Sequence, residues 1–180
     1  MSFPKPYADR VAKLRVPGGF LLVAAFLWLS EPSWTALSAG LPISILGLAL
    51  RAWAAGHLEK NLDLAQSGPY AHLRNPLYAG TLLVAAGFVI ASRRWELGVL
   101  CAAVFLLIYL PVVELEEQHL RNLFPAYEAY ALRVPKLIPR FSLIHSRKHF
   151  EWRRYRRNRE YEPLLAFLAG AAVLVWKTTH

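Results

Sequence analysis

Apolar and polar positions alternate along this chain in long blocks, with five apolar runs separated by polar connectors. Several runs have about 15 residues, which is short for a hydrocarbon core of roughly 30 Å, so flanking residues should extend them. Tryptophans stand near the run ends, where an amphipathic ring prefers the headgroup layer. The pattern therefore predicts five membrane helices, over residues 16–29, 34–50, 77–91, 95–113 and 163–176.

Two polar clusters flank the third and fourth runs. The first cluster, residues 68–80, leads into the third run, and the second, residues 114–120, follows the fourth. Only residues 92–94 separate those two runs, so residues 77–113 should form a helical hairpin that returns both ends to one membrane face. We therefore expect the two polar clusters to lie side by side at that surface.

An amphipathic segment follows the second cluster. Apolar side chains recur at helical spacing over residues 120–134, and Pro125 should start a second helical piece. Pro135 and Pro139 end the segment, because the residue before each proline is pushed out of the α region. The spacing predicts a helical cap over the mouth of the hairpin.

Composition sets the protein class. The chain has 180 residues, is 56% hydrophobic, has a mean hydropathy of +0.29 and carries a net charge of +9. These values fit an all-α integral membrane protein better than a soluble globule. One cysteine excludes a disulfide framework, and the N-terminal stretch has no convincing cleavage site, so we expect it to be retained. We expect a single domain. It should have N-terminal helices at residues 1–56, a core at residues 57–140, and a basic segment with the last apolar helix at residues 141–180.

Basic residues set the orientation. Most Lys and Arg residues lie before the first run, between the second and third runs, or after the fourth run. The positive-inside rule then places the N-terminus, residues 68–80 and residues 114–160 in the cytoplasm and the C-terminus outside, in what should be the inner (plasma) membrane. The stretch 147–157 interleaves aromatic and cationic side chains. Beside a membrane, attraction to anionic headgroups explains this stretch better than nucleic-acid binding does.

Five ordered elements in and after the polar clusters suggest a family. In order and spacing they resemble the integral membrane methyltransferases of the isoprenylcysteine carboxyl methyltransferase and phospholipid methyltransferase family, over residues 46–140. The elements are Gly68-Pro69-Tyr70, Arg74-x-Pro76-x-Tyr78-x-Gly80, Glu116-Glu117-x-x-Leu120, Phe124-x-x-Tyr127-x-x-Tyr130 and the closing Pro135 to Pro139.

The resemblance implies S-adenosylmethionine as methyl donor, bound by residues 57–140 in a pocket at the cytoplasmic surface. It also implies a lipophilic acceptor that arrives from the bilayer, so the expected partners are a lipid-like substrate and the membrane. By position in the motifs, it implies catalytic roles for Arg74, Tyr78 and Glu116. The cofactor-binding residues that it implies are Gly68, Pro69, Tyr70, Asn75, Pro76, Gly80, Glu117 and Leu120.

One position departs from the family pattern. The carboxyl methyltransferases have Arg-His-Pro, whereas this chain has Arg74-Asn75-Pro76, which looks more like the phospholipid amine methyltransferases. The acceptor therefore stays open between the carboxylate of a prenylated thiol compound and the amine of a phospholipid headgroup. Arg74 can orient a carboxylate acceptor, whereas Glu116 or Tyr78 can help remove a proton from an amine.

The residue types fit the chemistry of the donor. S-adenosylmethionine carries an ammonium group and a carboxylate, so its pocket needs hydrogen-bond acceptors for the first and donors for the second. Glu117, favoured over its neighbour, can accept from the ammonium group or the ribose. Asn75 and backbone amides of residues 68–70 can hold the carboxylate. Methyl transfer depends on holding the reacting atoms close together in a site that excludes water.

Other interpretations compete with this one. Arg74 can anchor the protein at headgroups, Tyr70 and Tyr78 can be interfacial aromatics, and Gly80 can serve close helix packing. A membrane reductase of the sterol reductase type, using NADPH, is a second function, although the paired glutamates argue against it. A non-catalytic membrane module is a third. The histidines show no metal-ligand spacing, so no metal site is predicted, and no Gly-x-Gly-x-x-Gly marks a soluble nucleotide-binding domain.

Overall fold

The structure is a computed structural model that describes residues 4–140 and 149–180. Over these residues it is all helical, without strands. The part of the predicted basic segment at 141–148 lies outside the described residues. The helices are α1 (Lys5–Ala12), α2 (Arg15–Leu29), α3 (Trp34–Ala55), α4 (Pro76–Ser92), α5 (Trp95–Val104), α6 (Leu110–Leu123), α7 (Tyr127–Arg133), α8 (Trp152–Arg157) and α9 (Tyr161–Thr179).

All five predicted apolar runs are helical, but only three or four of them are long and apolar enough to span a membrane. Helix α3, helix α9 and the continuous helical segment Trp95–Leu123 are each long and apolar enough to cross a membrane. Helices α1 and α2 meet at a bend of 51°, and together they are long and apolar enough to form a fourth span. Helix α4 is a shorter apolar helix of 17 residues. Large apolar side chains cover the outside of these helices, with Trp28 87% exposed, as expected for a surface that meets lipid. The chain is thus an all-α integral membrane protein.

Helices α4 and α5 form the predicted hairpin. Arg93 adopts a left-handed backbone conformation (φ 56°) at the end of α4, and this reverses the chain direction before Trp95. The turn after α2 lies at the same end of the bundle, because the backbone N–H of Glu31 donates to the carbonyl of Ser92 at 3.0 Å and Arg94 pairs with Glu31. The start of α4 and the end of α6 therefore return to the opposite end.

Small residues let α3 and α4 approach closely. A Cβ added at Gly47 would lie 2.6 Å from the carbonyl oxygen of Gly80, and one added at Gly80 would lie 2.7 Å from that of Gly47. The Ser44 hydroxyl also donates to the Val84 carbonyl at 2.9 Å. Close packing and interhelical hydrogen bonds drive helix association in lipid, where burial of apolar surface contributes little. Gly80 therefore serves helix packing.

A π-helical turn interrupts the segment Trp95–Leu123 at Phe105–Tyr109. Pro111 has no N–H, so it cannot donate to the carbonyl of Leu107 four residues earlier. The Tyr7 hydroxyl on α1 donates to that carbonyl instead, at 2.9 Å. Helix α1 is thereby fixed against the segment that carries the predicted glutamates.

Polar contacts join the helices at both ends of the bundle. At the end that holds the polar clusters, Arg51 of α3 pairs with Glu160, directly before α9, at 2.8 Å. At the other end, Lys177 of α9 donates to the carbonyl of Ser30, directly after α2, at 2.6 Å. Helix α9 is therefore attached to α3 at one end and to α2 at the other.

Candidate functional site

A large cavity lies where the two predicted polar clusters meet. Its volume is about 1240 Å³, and residues of α2, α3, α4, α6, α7 and α9 line it, together with residues 58–65 of the loop after α3. Residues 74–78 of the first cluster contribute to its wall, as do Glu116, His119 and Leu120 of the second. The hairpin thus brings the two clusters to one site, as the sequence predicted.

A short backbone pairing fixes the start of α4. The N–H of Arg74 donates to the carbonyl of Pro135 at 2.8 Å, and the N–H of Asn75 donates to that of Lys136 at 3.2 Å. Asn75 has φ −123° and ψ 59°, outside the α region, as expected for the residue before Pro76. The segment after α7 therefore holds Arg74 and Asn75 in place at the boundary between loop and helix.

Asn75 and Glu117 are joined side chain to side chain. Nδ2 of Asn75 donates to Oε1 of Glu117 at 2.9 Å. Glu117 is only 1% exposed, and two cations offset its charge: Arg74 Nε lies 3.5 Å from Oε1 and Lys136 Nζ lies 3.3 Å from Oε2. A buried carboxylate is tolerated when it is paired in this way. Glu117 does not line the cavity, so it supports Asn75 and Arg74 from behind the wall.

Three tyrosines, Tyr70, Tyr127 and Tyr130, form the neighbouring part of the wall. The Tyr130 hydroxyl donates to the backbone carbonyl of Tyr70 at 2.8 Å, and the rings of Tyr127 and Tyr130 meet edge to face at 5.9 Å. All three line the cavity. Burial is the main cause that raises the pKa of the Tyr70 and Tyr127 hydroxyls above the usual value for tyrosine. Both hydroxyls therefore stay protonated at neutral pH and can donate hydrogen bonds.

Three buried polar atoms on cavity-lining residues make no hydrogen bond of ordinary geometry within the described parts of the chain, and Glu117 lies close to two of them, on Arg74 and Tyr127. They are Oη of Tyr70, Oη of Tyr127 and Nε of Arg74. Most buried polar groups have a partner, and leaving one unpaired costs about 1–3 kcal/mol. All three atoms can donate a hydrogen bond. The Tyr70 hydroxyl has no such neighbour, so a polar molecule with acceptor atoms at this end of the cavity could give it a partner.

Tyr78 and Glu116 form a second polar pair on the wall. The Tyr78 hydroxyl donates to Oε1 of Glu116 at 2.9 Å, and Arg15 of α2 lies 3.9 Å from the same oxygen. The Tyr78 ring also packs edge to face against Tyr109 at 6.3 Å. Glu116 faces the cavity and Glu117 does not, because adjacent residues point about 100° apart on a helix. The pair offers a carboxylate that can accept a proton from a bound molecule.

Most of the predicted site residues line this one cavity, and their roles stay predictions. Those that line it are Tyr70, Arg74, Asn75, Pro76, Tyr78, Glu116 and Leu120. Gly68, Pro69, Gly80 and Glu117 do not.

Gly68 has a left-handed backbone (φ 57°), and a Cβ there would lie 2.8 Å from the His57 ring. The backbone N–H of Tyr70 donates to the carbonyl of Ser67 at 3.2 Å, so it is already used within the loop.

The predicted site residues do not include the strongest ion pair on the cavity wall. Arg51 donates to both carboxylate oxygens of Glu160, from Nε at 3.0 Å and from NH2 at 2.8 Å, and its third nitrogen donates to Thr81 Oγ1 at 2.5 Å. Burial raises the pKa of the Glu160 carboxyl, and Arg51 opposes that rise. The sequence carries one usable signal for this pair, a cation directly after one apolar run and a carboxylate shortly before another.

Comparisons with known proteins relate this chain to a family. A family model described as phospholipid methyltransferase matches residues 20–127. The nickel-cobalt-cadmium resistance protein NccN of Alcaligenes xylosoxydans xylosoxydans is 31% identical over 144 residues, which cover 76% of this chain and 68% of that protein. The cobalt-zinc-cadmium resistance protein CzcN of Cupriavidus metallidurans is 35% identical over 109 residues, 57% of this chain and 50% of that protein. No solved structure matches the chain significantly.

Both relatives are named for resistance to metals, which raises the question of a metal site in this chain. Within residues 4–140 and 149–180, no group of three or more His, Cys, Asp or Glu side chains is placed to hold a metal ion. On the cavity wall, Glu59, Glu116 and Glu160 pair instead with arginine, and Glu117 behind the wall pairs with arginine and lysine.

Proposed function

Because the chain belongs to the phospholipid methyltransferase family, we propose that it transfers a methyl group from S-adenosylmethionine to a lipophilic acceptor held in the membrane. The family domain supports membrane methyltransferase activity in general. The observation that carries the finer proposal is the group of buried donors at the polar end of the cavity, on Tyr70, Arg74 and Tyr127, of which the last two also lie close to Glu117.

The side chains at this end fit the methyl donor. S-adenosylmethionine supplies, when bound, a methyl group on a sulfonium sulfur that a nucleophile can displace. Its carboxylate and ribose need hydrogen-bond donors, which Tyr70, Tyr127 and Arg74 offer. Its positive charges favour a site with carboxylates, and Glu116 lies on the wall while Glu117 lies behind Asn75. We assign these residues to cofactor binding on that match of charge and hydrogen bonding.

The acceptor would react beside Tyr78 and Glu116. If the acceptor is an amine, the Glu116 carboxylate can take its proton, and the Tyr78 hydroxyl, which donates to Glu116 at 2.9 Å, orients that carboxylate. If the acceptor is a carboxylate, no base is needed, and Arg74 on the same wall can orient it. In both cases the bound acceptor and the cavity wall together would have to exclude water from the reacting atoms.

The proposed site faces the cytoplasm from the inner membrane. The polar end of the cavity lies at the end of the bundle where Arg15, Arg51 and Arg74 are found. Under the positive-inside rule, an excess of Lys and Arg marks the cytoplasmic side. That side also holds S-adenosylmethionine, so the donor would reach the site from the cytoplasm and the acceptor from the bilayer.

Calorimetric binding to the detergent-purified protein tests the proposal. S-adenosylmethionine and S-adenosylhomocysteine should bind, and NADPH should not. Loss of one donor in Tyr127→Phe should weaken the binding of S-adenosylmethionine about threefold to tenfold. Tyr155→Phe, which changes a tyrosine away from the cavity, should leave the affinity unchanged. Binding of NADPH alone would favour the reductase, and binding of neither compound would favour a non-catalytic module.

A transfer assay then separates binding from catalysis. S-adenosylmethionine labelled on the methyl group is incubated with the protein and a bacterial membrane lipid extract. Label should enter the organic phase, and mild base should release it if the product is a methyl ester but not if it is a methylated amine. Donor binding without any transfer to lipid would contradict the proposed acceptor class.

A further inference from the structure

We infer that the outward face of α8 is a binding site for anionic lipid headgroups, formed by Trp152, Arg153 and Arg156. From the sequence, only the stretch 147–157 as a whole could be related to such headgroups, whereas the structure separates its cations by the face on which they lie. This site is separate from the proposed methyl-transfer chemistry and would exist without it.

Helix α8 is fixed where one membrane helix ends and another begins. The backbone N–H of Glu151, directly before α8, donates to the carbonyl of Gly56 at the end of α3, at 3.0 Å. Directly after α8, the Asn158 amide donates to the carbonyls of Ala55 and Leu58 at 2.9 and 3.0 Å. Both α3 and α9 are long and apolar enough to span a membrane. Helix α8 therefore lies at the level where these spans leave the apolar layer, which is the level of the headgroups.

The inward face of α8 is occupied by contacts within the protein. Arg154 pairs with Glu59 and with Glu151, at 3.1 Å in each case, and its side chain is only 13% exposed. Asn158 is four positions further along, so it points to the same side as Arg154. The charge of Arg154 is thus compensated within the protein, and this face serves to hold α8 against the end of α3.

The outward face of α8 carries cations without a counterion. Arg153 and Arg156 are both exposed, and neither forms an ion pair with a residue in 4–140 or 149–180. They are three positions apart, so they are neighbours on the helix surface. Arg159, by contrast, pairs with Glu162 at 3.5 Å. Cations beside a membrane attract anionic headgroups, and a guanidinium group can donate two hydrogen bonds at once to a phosphate. Arg153 and Arg156 are therefore available to a lipid phosphate.

Trp152 adds an interfacial anchor to the same face. Its ring is 70% exposed, although Phe150 and Tyr155 contact it edge to face at 5.1 and 5.6 Å. An indole ring prefers the headgroup layer, where its apolar body and its N–H group both find suitable surroundings. Trp152 and Arg156 are four positions apart, so the ring and the cation lie on one side of the helix. An aromatic ring beside unpaired arginines fits a lipid surface that carries negative charge.

The proposed lipid site adjoins the cavity. Arg157, the last residue of α8, is exposed and also lines the cavity, as does Lys60 of the loop after α3. Arg153 is four positions before Arg157, which is about one helical turn. A lipid held by the outward face of α8 therefore lies beside an opening of the cavity.

Co-purification of lipids with the detergent-purified full chain tests the site. The protein is equilibrated with mixed micelles that contain equal amounts of phosphatidylglycerol and phosphatidylcholine with identical acyl chains. Mass spectrometry then measures the ratio of the two lipids that the protein retains, and thermal unfolding checks that each variant is folded. The test variant is Arg153→Gln with Arg156→Gln, and Arg153→Lys with Arg156→Lys keeps both charges. Arg133→Gln with Arg140→Gln is the matched control, because it removes two exposed arginines outside α8 at the same end of the bundle.

We expect the wild type to retain phosphatidylglycerol in preference to phosphatidylcholine. This preference should fall about fivefold for each α8 arginine replaced by glutamine, which corresponds to the attraction of one cation to anionic headgroups. The lysine variant should keep most of the preference, and salt at about 1 M should weaken it because exposed charges are then screened. The control should lose less than the test variant.

Three results would overturn the inference. They are the absence of any preference in the wild type, an unchanged ratio in the folded glutamine variant, and an equal loss in the control, which would make net charge alone responsible. If the double glutamine variant does not fold, Arg156→Gln alone gives the same comparison with an expected fivefold loss. None of these measurements involves S-adenosylmethionine, so their outcome is independent of the proposed function.

Discussion

Asn75 donates a hydrogen bond to Glu117 at 2.9 Å across 42 positions of the sequence, and this bond joins the two predicted polar clusters. The amide lies on the cavity wall, whereas the carboxylate is buried behind it. Glu117 thus acts on the cavity through Asn75 and Arg74. Substitutions at the two positions should therefore differ in their effects.

Asn75→Ala should weaken the binding of S-adenosylmethionine with a small loss of stability. The Nδ2 group of Asn75 donates to Oε1 of Glu117 at 2.9 Å and to the carbonyl of Lys136 at 3.3 Å, so the change removes both bonds and loosens the cavity wall at the start of α4. Each such loss costs about 1–3 kcal/mol. Calorimetry measures the affinity, and thermal unfolding in detergent measures the stability. Asn122→Ala, the same change at an exposed position of α6, should alter neither quantity. Full affinity in Asn75→Ala would remove Asn75 from the site.

Glu117→Ala should reduce stability more than Asn75→Ala does. It leaves Arg74, whose side chain is 12% exposed, without its anion, whereas Lys136 keeps Glu114 at 2.6 Å. Removing one partner of a buried pair costs about 3–5 kcal/mol. Glu117→Gln keeps an acceptor for Asn75 and should retain most of the fold while the position of Arg74 is loosened. A Glu117→Gln protein with wild-type affinity for S-adenosylmethionine and wild-type stability would contradict this supporting role.

The buried pair of Arg51 and Glu160 should hold α9 to α3. Arg51→Ala leaves a carboxylate that is 7% exposed without its partner, so we expect a loss of about 3–5 kcal/mol in the free energy of unfolding. Replacing both residues, Arg51→Met with Glu160→Leu, should recover much of that loss because no charge is left unpaired. The exposed pair of Arg159 and Glu162 is the comparison, and Arg159→Ala should change stability by less than about 1 kcal/mol.

Gly47→Ala should separate α3 from α4. Its new methyl group would lie 2.6 Å from the carbonyl oxygen of Gly80, which belongs to a helix backbone and cannot swing aside. Overpacking of this kind costs about 1–3 kcal/mol or more. Gly19→Ala places the same group where nothing lies within 4 Å, and should be neutral or stabilise α2 by up to about 1 kcal/mol. Equal unfolding temperatures for the two variants would show that the α3–α4 contact does not limit stability.

The helical framework could be predicted from the sequence because the pattern of apolar residues decides it locally. The run at 34–50 appears as α3, which continues to Ala55, and the run at 77–91 appears as α4, which is one residue longer at each end. The short connector around Arg93 was enough to predict a hairpin, and the hairpin was enough to predict that the two polar clusters meet. The motif resemblance added the family, which the comparisons support independently.

The sequence did not distinguish the roles of Glu116 and Glu117. Both lie in one motif, and Glu117 was favoured for direct contact with the cofactor, yet Glu116 lines the cavity and Glu117 lies behind it. Adjacent residues on α6 face different neighbours, and which one faces the cavity depends on how α6 is rotated against α4. That rotation depends on packing, including the π-helical turn at Phe105–Tyr109 and the Tyr7 contact there.

The sequence by itself determined the protein class, the helical segments, the hairpin and the polar clusters, because hydrophobic runs, turn residues and charge act over short stretches of chain. Only the tertiary structure decided which side chains share the cavity. The pair of Arg51 and Glu160 and the ring contacts of Phe88 with Phe26 and Phe167 join residues from helices that are far apart in sequence. Such contacts depend on how the helices pack against one another, and the periodicity of a single helix does not specify that arrangement.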